Sequence, residues 1–364
     1  MKGQKITSGA GAAIAAFTIL TNAYSFLPGA FSGGDVWISH IIAGATSVIC
    51  LWLLVNLCEK YPGESFFGVI TNALGKFFGR AVSVVLVLLS VLTLTVSLTV
   101  FSRFIQITAL PQTPQIIIPS LITVCAALSL RTSLRAASGT ARLLIWFFAA
   151  VFLFFALGGI KEVKLSLLLD MPESTVEIFR GAGEVYLNRF ATMLALMSVY
   201  TRIEEGEKRK SRFLLSAGIS ALALSVISVI TVATLGTENI SRDFYSVFSA
   251  MSVKSVGGFI RHTEILACIA MVISLFFKSV VCILFSDDML SGALGIPDES
   301  FSYLPIGLLA AAGTQIIYRD TSALRGLLAW KSGAGFVLAL HIIIPLILFL
   351  SAGIKNKRHG RFFT

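Results

Sequence analysis

Apolar residues in this chain fall in long continuous runs separated by short polar stretches. Neither the alternation of a barrel strand nor the one-sided stripe of a surface helix describes them. A bilayer core takes about 20 helical residues to cross. Ten runs come within reach of that length: Ala10–Phe31, Val36–Cys58, Ala81–Ile107, Gln115–Leu130, Ala141–Ile160, Tyr186–Thr201, Phe213–Leu235, His262–Phe285, Phe301–Tyr318 and Ala334–Ser351. The fourth and sixth are short, and the sixth contains Arg189. The pattern predicts an all-α, polytopic membrane protein of about ten transmembrane helices, with residues 1–364 forming one transmembrane domain. Two stretches between runs differ. Glu59–Arg80 sets Phe66, Val69, Ile70, Ala73, Leu74 and Phe77 at helical spacing, which predicts an amphipathic helix lying at the inner membrane surface. Leu235–Arg261 is Ser-rich with short apolar patches; it reads as a re-entrant or capping element outside, or as a hydrated loop.

Composition narrows the class. Only 13% of the residues are charged and 56% are hydrophobic, with a mean hydropathy of +0.87. A soluble chain is about a quarter charged, so a water-soluble protein, a disordered chain and a small secreted scaffold are all excluded. The net charge of +10 has a simpler source than nucleic-acid binding. With a cytoplasmic N-terminus, 17 of the 29 Lys and Arg residues fall in inner segments, 9 in outer ones and three, Arg103, Arg189 and Lys278, inside spans. That bias predicts cytoplasmic termini. The acidic stretch 287–300, with Asp287, Asp288, Asp298 and Glu299 and no basic residue, is the one inner segment that disagrees. The five cysteines are odd in number, lack metal spacing and read as small core residues. The N-terminus lacks a small-residue cleavage site, so no signal peptide is expected. No P-loop, nucleophile elbow or HExxH occurs, so neither an enzyme nor a resident metal or cofactor is expected.

Several short segments resemble one family in order and spacing: FLPG (Phe26–Gly29), DVWIS (Asp35–Ser39), KYPGES (Lys60–Ser65), ALGKFFGR (Ala73–Arg80), LPQTP (Leu110–Pro114), the Phe277–Lys278 pair, and LSGALGIPD (Leu290–Asp298). The chain resembles the spore-germination permeases, the multi-span B subunits of germinant receptors in the amino-acid/polyamine/organocation superfamily. The resemblance implies a LeuT-like five-plus-five inverted repeat, with spans one and six broken near the midplane to bind ligand. It also implies an A subunit and a lipoprotein C subunit as partners, a small germinant such as an amino acid or nucleoside, and the spore inner membrane as location. A stand-alone amino-acid permease is the alternative.

On that fold the candidate ligand residues are Thr21, Asn22, Ala23, Ser25, Thr192 and Phe277. Asn22 offers both a donor and an acceptor. Thr21, Asn22 and Ala23 stand where the family commonly has glycines, which leaves the extent of unwinding open. Span six, read as Tyr186–Thr201, contains no acid where the family often carries a Gly-Glu pair; this weighs against proton-coupled transport. Arg189, near the start of that span, reads as snorkelling to the interface, with an anion-facing role as the alternative. Lys278 lies in an apolar run, where a charge needs a partner or a wet cavity. Its expected role is to replace a bound sodium ion between spans one and eight, held by carbonyls near Ala23 and Ser25; snorkelling is the alternative. Thr93, Thr95 and Ser97 either line the cavity or bond between helices. His341 is expected to pack in the core.

Overall fold

The computed structural model describes residues 5–157, 165–168, 174–252, 264–296, 302–317, 321–329 and 331–358. The first half contains α1 (Ser8–Ile19), a 3-10 turn (Ala30–Asp35), α2 (Val36–Glu59), α3 (Phe66–Leu74), α4 (Lys76–Thr108), α5 (Ile117–Thr132) and α6 (Leu134–Leu157). The second contains α7 (Thr175–Val185), a π turn (Tyr186–Phe190), α8 (Leu196–Tyr200), α9 (Arg209–Leu235), α10 (Thr237–Arg242), α11 (Ser246–Ser252), α12 (Glu264–Leu294), α13 (Tyr303–Ile317), α14 (Thr321–Leu328) and α15 (Lys331–Arg358). Among the described residues the only extended pairing outside helices is an isolated bridge between Ile6 and Ile203.

Six helical stretches, built on α2, α4, α6, α9, α12 and α15, are long and apolar enough to cross a membrane alone. Helices α5 and α13 have 16 and 15 residues. At 1.5 Å per residue they reach only about 24 and 23 Å, short of a core of about 30 Å. They pack against each other and against α4 and α12. The other two crossings are made in pieces, α1 with the irregular stretch after it, and α7 with the π turn and α8. Equivalent crossings of the two halves meet: α2 packs on α9, α4 on α12, and α5 on α13. Three crossings that each touch their own counterpart are what an inverted repeat about a central pseudo-two-fold axis produces.

Span six differs from the sequence expectation. It begins at Thr175, where Ser174 caps the helix by accepting from the Glu177 amide at 3.4 Å. The helical half thus includes Gly183 and Glu184, so the acid expected to be missing is present. The low mean hydropathy of α7, which carries Glu177, Arg180 and Glu184, hid it from a search for apolar runs. Gly181 fits it against span two: a Cβ there would lie 2.2 Å from the Ser32 hydroxyl and 2.7 Å from that of Ser39. Those hydroxyls donate to the Glu177 and Ile178 carbonyls at 3.2 and 2.9 Å.

The amphipathic stretch does form a helix, α3, but its apolar face is covered by protein. Phe66, Val69, Ile70 and Ala73 are buried, and Phe66 packs on Phe285. Ser65 caps it, accepting from the Gly68 amide at 3.2 Å. Gly75, at φ +86°, ends it before α4, so Phe77 falls outside it and stays exposed. Two of the acids that disagreed with the charge bias, Asp287 and Asp288, belong to α12 and not to a loop. Asp288 is buried and takes a two-pronged ion pair from Arg202, both contacts at 2.6 Å. Asp287 accepts from Ser302. On the opposite face, α10 and α11 replace a plain loop, and the Phe248 amide reaches the Ser25 carbonyl at 3.3 Å. Residues 253–261 of that stretch, and Asp298 and Glu299, lie outside the described residues. Three cysteines are buried as expected, whereas Cys125 is exposed.

Candidate ligand site at the broken spans

Helix α1 stops at Ile19 because the chain turns at Asn22, the one described non-glycine residue at positive φ (+59°). Asparagine tolerates the left-handed region better than branched or bulky residues do. The Thr21 hydroxyl donates back to Phe17 O at 2.9 Å and across to Ser274 O on α12 at 3.3 Å. Ser25 Oγ donates to Asn22 O at 2.8 Å. The break still leaves main-chain carbonyls without helical partners in a setting where each unpaired group is costly.

Arg189 supplies them. It projects from the π turn of span six, is 2% exposed, and donates to Thr21 O at 2.9 Å and Phe26 O at 2.7 Å. Its guanidinium also sits 4.8 Å from the centre of the Phe26 ring, which stacks on Phe244. A cation beside the C-terminal end of α1 is favoured by the helix dipole as well. Snorkelling is therefore not its role; the guanidinium joins the two broken spans. The π turn sets this up by adding a residue to the helical repeat, which re-aims the side chains that follow.

A cavity of about 150 Å³ opens beside this junction. Its polar lining comes from Asn22, Thr93, Ser97, Asn188, Arg189 and Lys278, and apolar residues of α4, α14 and α15 complete it. Asn22 Nδ2 donates to Ser97 O on α4 at 3.1 Å; its Oδ1 is buried with no partner, as is Arg189 Nε. Asn188 Nδ2 donates to Glu184 O and Leu328 O at 2.8 and 3.0 Å. Lys278, 3% exposed, also lines the cavity, and among the described residues its ammonium makes no hydrogen bond. The carbonyls it was expected to hold are engaged elsewhere: Ser25 O takes the Phe248 amide, and Arg189 takes Thr21 and Phe26. The fixed cation bridging the break is an arginine of span six.

Of the expected ligand residues, Asn22 alone lines the cavity, joined there by Lys278. Thr21, Ala23, Ser25, Thr192 and Phe277 are buried beside it and shape it indirectly. Phe277 stacks on Phe17 of α1, centroids 4.9 Å apart, and braces the first span. Thr192 lies in the irregular turns between the π turn and α8, where its carbonyl accepts from the Leu196 amide at 3.3 Å. His341 packs in the core as expected, within 2.9 Å of the Tyr186 hydroxyl. Glu184 borders a neighbouring cleft with Arg180 and Phe31; its carboxylate lies against the Gly29 amide, with Oε2 buried and unpaired.

A sequence profile of the family described as "Spore germination protein" matches residues 7–317. The chain belongs to the spore germination permease family. The family's motifs fall where the geometry is demanding: Phe26 and Gly29 at the break, Ser39 against α7, Ser65 and Gly75 at the ends of α3. Among solved structures the chain is similar to the Eremococcus coleocola manganese transporter, crystallised in complex with an aromatic bis-isothiourea substituted compound. That likeness has a TM-score of 0.59 at 12% identity, over 98% of this chain and 88% of that one. It shows that this family member has a transporter fold. No curated protein matches the chain.

Proposed function

We propose that this chain is the membrane subunit of a nutrient germinant receptor, which binds a small germinant in the cavity beside Asn22, Arg189 and Lys278 and passes the event to an A subunit and a lipoprotein C subunit. The reading places it in the spore inner membrane with both termini cytoplasmic. The observation that carries it is a largely apolar cavity, set with a few polar and two cationic side chains, beside the break in span one and the π turn of span six, in a member of the spore germination permease family. Ligand contact there bears on both halves of the repeat at once, which is what a signal needs.

The alternative is a stand-alone amino-acid permease. Glu184 removes one argument against it, since a carboxylate does lie within span six. The bridging cation argues the other way, because Arg189 is covalently attached and cannot cross with a substrate. Spores whose only copy carries Asn22→Gly, matched for protein abundance, are the test. Loss of germinant response supports the cavity; full response overturns it. Uptake of radiolabelled germinant by liposomes holding the full chain alone favours the permease.

A further inference from the structure

The charge inside the cavity is one-sided. Two of its lining side chains, Arg189 and Lys278, are cationic, both are at least 97% buried, and no described acid lines it. Glu184, the nearest candidate counter-ion in sequence, opens on the adjoining cleft instead. The acceptors are also largely taken. Thr21 O and Phe26 O each accept from Arg189, Ser97 O from Asn22, and Leu328 O from Asn188. Two buried atoms of the lining residues have no partner, Arg189 Nε and Asn22 Oδ1, and among the described residues the ammonium of Lys278 makes no hydrogen bond.

Those three groups describe a ligand by complement. We propose that the cavity selects a small carboxylate that bears a neutral donor, such as a hydroxyl, and no ammonium. This rests on the cavity being the germinant site and names the class of molecule it takes. A carboxylate accepts from Arg189 Nε and Lys278 with charge-assisted bonds. A hydroxyl beside it donates to Asn22 Oδ1. The ammonium of an amino acid would face two like charges in a poorly screened site, with no described acid lining the cavity to receive it.

Three probes of nearly equal size isolate the terms: L-lactate, propionate and L-alanine, which place a hydroxyl, a hydrogen and an ammonium at the same carbon. Each is titrated by calorimetry into the full chain in lipid nanodiscs at constant chloride. The expected order is lactate, then propionate, then alanine, with lactate at least tenfold tighter than alanine. Lys278→Met should weaken lactate at least tenfold. Asn22→Asp, which keeps the size of the side chain and tolerates the positive φ, should weaken both anions and remove the preference over alanine. A nanodisc preparation of either variant that elutes and melts as a folded protein makes the reading valid, and one folded variant suffices. Alanine binding as tightly as lactate, or no binding of any of the three, overturns the proposal. If alanine wins but still depends on Asn22 and Lys278, the charge argument falls and the site stands. Lactate binding that neither folded variant changes overturns both.

Discussion

Arg189→Lys separates the shape of the bridging cation from its charge. The native guanidinium makes two bonds to buried main-chain oxygens, Thr21 O at 2.9 Å and Phe26 O at 2.7 Å. A planar fork reaches both at once, while an ammonium on a shorter stem cannot. The substitution keeps a positive charge at the break, so the large desolvation term changes little; the stronger hydration of an ammonium adds to the loss and does not offset it. What changes is that at least one buried carbonyl is left unpaired, at about 1–3 kcal/mol. Contact with the Phe26 ring, 4.8 Å from the guanidinium carbon, weakens in the same direction. Unfolding of the purified protein in detergent, followed by tryptophan fluorescence, should show a lower midpoint for Arg189→Lys. Arg189→Met is a poorer probe, because relief from burying a charge opposes the lost bonds. A monodisperse Arg189→Lys protein melting with the native midpoint would show that the two carbonyls do not depend on the fork.

Four further outcomes follow from the same geometry. Lys278→Met should raise the ligand-free melting midpoint, since the ammonium is buried without a hydrogen bond and an unpaired polar group costs about 1–3 kcal/mol; a fall in the midpoint would reveal a structural partner. Asp288→Ala should cost about 1–3 kcal/mol, because Arg202 loses both charge-assisted bonds but keeps its bond to Ser198 O; a native midpoint for the variant would show that the pair contributes nothing. Asn22→Leu should be less stable than Asn22→Gly by about 1–2 kcal/mol, the cost of the left-handed region for a bulky side chain, at φ +59°; equal stability would mean the turn relaxes. A reporter fused at Lys210 should read cytoplasmic, and an external reading there reverses the proposed orientation.

How far the sequence carried depended on what each residue had to satisfy. Hydropathy located the uninterrupted crossings because their apolar runs answer directly to lipid. It shortened span six because α7 faces protein: Glu177, Arg180 and Glu184 sit where a search for apolar runs finds a loop. Depth along the first span pointed to Thr21, Asn22 and Ser25; of these Asn22 turns the chain, as a left-handed asparagine in place of glycines. Arg189 was visible as a charge in a span, yet its bonding depends on the π turn, and nothing in residues 186–190 marks an extra residue in the helical repeat. The apolar cavity wall from α14 and α15 left no signal at all, since Leu328 and Val337 read like any lipid-facing or core residue. A buried Asp288 explains how an acidic stretch sits beside a basic one: its charge is paired with Arg202.

The position of the bridging cation bears on the choice between receptor and transporter. An ion-coupled carrier of this architecture draws free energy from an ion that binds at the broken helices in one state and leaves in another, so the break must be able to lose its cation. Here the cation bonded to Thr21 and Phe26 is the side chain of Arg189, tethered to span six. Releasing the two carbonyls means moving spans one and six apart and leaving a buried guanidinium and both oxygens without partners, which costs several kcal/mol. A ligand that places an anion beside Arg189 adds a partner to a junction already closed and makes that separation costlier. The junction is therefore suited to reporting occupancy through the relative position of two spans. Arg202 lies at the far end of span six, and the strand-like bridge of Ile6 and Ile203 ties the start of span one to the same end. The two spans that meet at the cavity therefore also meet at this end, and under the receptor reading proposed above that shared end is the surface a partner subunit would contact.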